Sequence, residues 1–127
     1  MADSRRFADW YEKARQDFRG AQILFEYGDD YAIVAFHCQQ AIEKALKGYI
    51  LQKSGSLLDG HSLIYLCRQA AKLDEGVKRF MKDCAFVNQF YIETRYPADI
   101  TEVLEEEDAK ECLSTAGEVL SYLEQIK

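Results

Sequence analysis

A single proline, Pro97, interrupts the 127 residues of this chain, so the strongest breaker of helices is missing from the long stretch before it. Apolar residues recur there at helical spacing. Phe7, Trp10, Tyr11, Ala14, Phe18, Ala21 and Leu24 mark a first helix over about Arg5 to Tyr27. Gly28 suits its C-terminal cap, and Asp29 or Asp30 can cap the next helix by accepting free backbone N–H groups. The second helix runs to about Gln52 on a core stripe of Tyr31, Val34, Cys38, Ala41, Ile42, Ala45 and Tyr49. A loop rich in small residues, Lys53 to Gly60, precedes a short third helix over about Ser62 to Leu73. A fourth, about Glu75 to Thr94, turns Val77, Phe80, Met81, Cys84, Val87 and Tyr91 inward, and Pro97 stops it. The acidic run Glu105 to Asp108 opens a last helix carrying Ala109, Cys112, Leu113, Ala116, Val119, Leu120 and Leu123.

No segment alternates as a strand. The expected fold is all-α, an antiparallel up-and-down bundle of four long helices plus one short helix. Residues 1–127 carry no repeat or linker and read as a single helical domain. With 48% apolar residues, burial can offset the entropy of ordering the chain.

Composition also narrows function. No apolar run approaches the roughly 20 residues needed to cross a bilayer. Met1 to Trp10 lacks the apolar stretch of a secretory signal, so a cytoplasmic location is expected. A net charge of -6 argues against a general binder of long nucleic acids. Cys38, Cys67, Cys84 and Cys112 are widely spaced at apolar helical positions and read as buried free thiols. His37 and His61 lack the companion spacing of a metal site, so no metal and no cofactor are expected, and His61 reads as a loop or capping residue. No glycine-rich phosphate loop or hydrolase motif occurs, and motif reading alone yields no enzyme.

Two surfaces depart from a plain bundle. On the second helix, Ile33, Phe36, His37, Gln40, Lys44 and Lys47 fall away from the core stripe. Apolar and polar groups mixed on one face suggest contact with a neighbouring helix, a second subunit or a ligand. Ile33 and Phe36 are the candidate interface residues. On the fourth helix, Asn88 and Arg95 share a side with Cys84 and Tyr91. A cation there either complements the last turn of the helix or needs a carboxylate, for which Glu43 and Asp99 are candidates.

The segment Ala35-Phe-His-Cys-Gln-Gln-Ala-Ile-Glu-Lys-Ala-Leu-Lys47 closely resembles the second helix of HEPN domains (higher eukaryotes and prokaryotes nucleotide-binding). Gly60-His61-Ser62-Leu63, Tyr91 and Thr94-Arg-Tyr-Pro97 match in order, and the likeness spans about Trp10 to Leu123. The resemblance implies a helical bundle, commonly a homodimer, often paired with a separately encoded minimal nucleotidyltransferase and sometimes acting as toxin and antitoxin. Many family members are ribonucleases with an arginine followed, after a few residues, by a histidine. Arg95 fills the arginine position, but Ile100 and Thr101 stand where the histidine belongs, and no histidine follows His61. Metal-independent RNA cleavage needs a proton acceptor and a donor, and arginine exchanges no proton at neutral pH. The expectation is therefore a noncatalytic module that binds a nucleotide or the partner's substrate. Its candidate ligand residues are His37, Gln40, Lys44, Lys47, Asn88 and Arg95. The alternative is a ribonuclease using Arg95 with a displaced histidine, His37 or His61.

Overall fold

The computed structural model describes residues 2–28, 30–93 and 104–127. Helix α1 (Phe7–Tyr27) turns into α2 (Tyr31–Ser54), where the Asp30 carboxylate accepts the Ile33 N–H and caps the new helix. The two lie antiparallel: Phe25 meets Tyr31 near the turn, Asp17 meets Lys44 midway, and the Tyr11 hydroxyl donates to Gln52 at the far end. Gly55, at φ 78°, adopts the left-handed conformation that ends α2.

Ser62 then caps α3 (Leu63–Ala71). A 3₁₀ segment (Glu75–Phe80), α4 (Met81–Asn88) and a single turn, α5 (Phe90–Glu93), lead toward the closing helix α6 (Glu106–Ile126). At the start of α6, Glu105 and Asp108 cap each other's backbone N–H groups, an acidic pair placed where the helix dipole favours it.

Helix α2 is the centre of the molecule. It packs against α1 on one side, α6 on another and α3 at its middle. Its buried residues include Val34, Ala35, Cys38, Ala41, Ile42, Ala45, Leu46 and Tyr49. A helix buried this widely lacks a single apolar stripe. All four cysteines are buried and free. The fold is all-α, as expected.

The fourth expected helix, however, is not one α-helix among the described residues. Its first turns are 3₁₀ because the Asp74 carboxylate accepts both the Gly76 N–H at 2.9 Å and the Tyr122 hydroxyl at 2.9 Å. That clamp draws the segment tightly against α6; a Cβ on Gly76 would overlap the Tyr122 hydroxyl. The later break falls at Gln89, whose side-chain amide donates to the Phe86 carbonyl. Thr94 and Pro97 lie outside the described residues. No helix among the described residues is long and apolar enough to cross a membrane.

Candidate functional site

Two carboxylates organise the polar side of α2. The first is Asp17, which occupies the inward stripe of α1 between Ala14 and Ala21. It accepts from His37 Nδ1 at 3.1 Å and from Lys44 Nζ at 2.6 Å. These bonds tie the two helices together while leaving the His37 and Lys44 side chains 34% and 26% exposed.

The second is Glu43, almost wholly buried. Its carboxylate takes Lys47 Nζ at 3.3 Å, Gln39 Nε2 at 3.2 Å and His61 Nδ1 at 3.0 Å. Gln39 also donates to the His61 carbonyl at 3.0 Å and accepts from Gln40 at 2.7 Å. Burying a charged pair is unfavourable unless its remaining hydrogen-bonding capacity is filled, and here the network fills it. No buried side-chain polar atom among the described residues lacks a partner.

His61 reaches Glu43 because Gly60, at φ 93°, turns the chain just before it. Its imidazole then lies on the ring of Tyr91, centroids 4.7 Å apart and 18° from parallel. Tyr91 in turn stacks on Phe36 at 6.3 Å, and Phe36 meets His37 edge-on at 5.7 Å. The result is a continuous run of four rings, with a histidine at each end held by its own carboxylate.

The residues singled out from sequence divide accordingly. His37, Lys44 and Gln40 sit together on this side of α2. Phe36 is half-buried within the ring run, whereas Ile33 is exposed at 42%. Lys47 belongs to the same cluster but is buried, with its ammonium over the Trp10 ring at 5.7 Å. Its charge is engaged by Glu43 and the indole. Asn88 acts on the backbone: its Oδ1 accepts the Leu63 N–H at 2.8 Å, satisfying an otherwise free donor at the start of α3. Arg95 and Asp99 lie outside the described residues. Glu43, proposed as a partner for Arg95, is occupied by Lys47, Gln39 and His61.

Sequence reasoning passed over Asp17, and named Glu43 only as a partner for Arg95 and His61 only as a capping residue or displaced histidine. Asp17 carried a signal, a carboxylate interrupting the stripe Trp10, Ala14, Ala21, Leu24. His61 stood in the Gly60–Leu63 motif, but nothing local signalled its contacts with Glu43 and Tyr91, which are made across long stretches of chain. Among the described residues no group of histidines, cysteines and carboxylates is arranged to hold a metal ion.

The arrangement offers flat aromatic surface, oriented imidazoles and a partly exposed lysine on one side of the bundle. The family model of the HEPN domain matches residues 7–126. The crystal structure of TT1696 from Thermus thermophilus superposes with a TM-score of 0.81 at 34% identity, over 96% of this chain and 98% of that one. ST0689, described as an archaeal HEPN homologue, does so with a TM-score of 0.75 at 31% identity, over 96% and 98%. No match was found among curated proteins. A family model that spans nearly the whole chain, joined to these two structures, makes the chain a member of the HEPN domain family.

Proposed function

We propose that this protein is a noncatalytic HEPN-type binding module, a homodimer that holds a nucleotide or substrate for a separately encoded minimal nucleotidyltransferase. The observation that carries this reading is the ring run Phe36, Tyr91, His61. Aromatic side chains receive nucleobases by stacking, and each stacked base contributes roughly 1–3 kcal/mol. Lys44, partly exposed beside the run, and Arg95, four residues beyond Tyr91 in sequence, supply positive charge for phosphate. The net charge of -6 favours a small nucleotide over a long polyanion. Ile100 and Thr101 at the place of the family's histidine support the noncatalytic half of the reading.

Isothermal titration of the full chain with ATP tests it. Saturable binding is expected, weakened about tenfold or more in His61→Ala, which removes the exposed end of the ring run, and in Arg95→Ala. No saturable heat, together with no nucleotidyltransferase copurifying from the native host, would sink the proposal.

One observation favours the second reading, a metal-independent ribonuclease. His61 lies on Tyr91, and Tyr91 precedes the family's arginine, Arg95, by four residues in sequence. Purified protein would then cleave RNA, and Arg95→Ala would abolish cleavage. Equal turnover by wild type and Arg95→Ala rules this reading out.

A further inference from the structure

The hydrogen bonds around Glu43 determine how His61 presents itself. A carboxylate only accepts, and its other partners, the Lys47 ammonium and the Gln39 amide nitrogen, only donate. The imidazole therefore donates to Glu43 from Nδ1. In the neutral ring that leaves the lone pair on Nε2, which has no hydrogen-bond partner among the described residues. The His61 side chain is 54% exposed, and one ring face is covered by Tyr91. What remains is an open ring face and, at the ring's edge, an acceptor whose direction is set by a buried carboxylate.

These two features ask for different parts of a nucleotide. A base stacked on the open face lies in a plane parallel to the imidazole, about 3.5 Å away. Its exocyclic amines point within that plane and cannot align with the Nε2 lone pair, which lies in the imidazole's own plane. The sugar projects out of the base plane, so its hydroxyl can descend to the edge of the histidine. The 2′-hydroxyl is also the group that distinguishes RNA chemistry from DNA chemistry.

We propose that His61 reads the ribose: Nε2 accepts a hydrogen bond from the 2′-hydroxyl of a nucleotide stacked on the imidazole, so the site selects ribonucleotides over deoxyribonucleotides. This deepens the nucleotide-binding reading and rests on it. Glu43 is a positioning residue, holding the acceptor outward, and Lys47 and Gln39 hold Glu43 in place.

The test is isothermal titration of the full chain with ATP, dATP and ITP. ATP is expected to bind about twofold to tenfold more tightly than dATP, the range of one neutral hydrogen bond, with ITP binding like ATP. His61→Phe keeps a flat ring against Tyr91 but removes the acceptor; it also removes the Nδ1 donor to Glu43, which keeps Lys47 and Gln39 as partners. In that variant ATP and dATP are expected to bind equally, each near the wild-type affinity for dATP. Equal binding of ATP and dATP by the wild type overturns the proposal while leaving nucleotide binding intact. Discrimination that survives His61→Phe overturns it too, as does loss of affinity for ITP with dATP unaffected. Failure of all three nucleotides to bind defeats the nucleotide-binding reading itself.

Discussion

Glu43 shows how much a single side chain can be asked to hold. Its carboxylate neutralises buried Lys47, anchors Gln39 and aims His61, all with a side-chain exposure of 5%. Removing one partner of such a pair strands the other charge in a low dielectric, whereas removing both often leaves stability little changed. Glu43→Ala is therefore expected to destabilise the protein by about 3–5 kcal/mol. The double change Glu43→Gln with Lys47→Met is expected to recover most of that loss, because the long apolar side chain fills the space against Trp10. Urea unfolding followed by circular dichroism measures both, and a double variant no better than Glu43→Ala would show that the charges themselves stabilise the fold. Part of this was legible in the sequence. Glu43 and Lys47 stand at the four-residue spacing of a helical ion pair. Their burial was not legible, since it depends on distant segments: Trp10 of α1 lies against Lys47, and His61 lies against Glu43.

Helical elements were the most readable level, because apolar spacing reports directly on which face is buried. The 3₁₀ turns at Glu75–Phe80 were hidden for a physical reason: the clamp on Asp74 comes from Tyr122, far along the chain. Periodicity in one segment carries no information about a partner so distant. Two helical glycines make a sharper comparison. Gly48 lies where α1 crosses α2, and a Cβ there would sit 3.0 Å from the Trp10 Cβ and 3.4 Å from the Phe7 carbonyl oxygen. At Gly20, within α1, a Cβ would meet nothing within 4 Å. Alanine in a helix is favoured over glycine by about 0.8–1 kcal/mol. Gly20→Ala is thus expected to raise stability by about that amount. Gly48→Ala is expected to lower it by about 1–3 kcal/mol, because overpacking a helix contact outweighs the propensity gain. Thermal melts of the two variants with opposite shifts would confirm the crossing; a stabilised Gly48→Ala would mean the helices can separate at little cost.

Across the whole molecule, the buried cysteines and tyrosines predict where the bundle fails as pH rises. Burial, reinforced by the carboxylates of Glu111 and Asp108, raises the Cys112 thiol from its usual 9.0 to about 12. Burial also pushes up Cys38 and Tyr11. Cys84 rises first through its hydrogen bond with Cys67 and then through burial; the same bond lowers Cys67. For each raised group the folded state keeps its proton at a pH where the unfolded chain has released it. The associated stability is complete below the unfolded value and is lost as pH climbs toward the folded one. A shift from 9.0 to about 12 corresponds to about 4 kcal/mol for Cys112 alone, comparable with the 5–15 kcal/mol that holds a typical domain together. The melting temperature is expected to show no thiol-driven fall below about pH 9 and to drop steeply between there and pH 12. Cys112→Ala should start from a lower baseline, since it leaves a small void, yet fall less steeply because one fewer proton is released on unfolding. Ellman's reagent provides the independent check. At pH 8 the native protein is expected to react at none of its four thiols and the guanidinium-unfolded protein at all of them. A native thiol that reacts rapidly, or an alkaline slope unchanged in Cys112→Ala, would show that the bundle admits solvent where its packing places none.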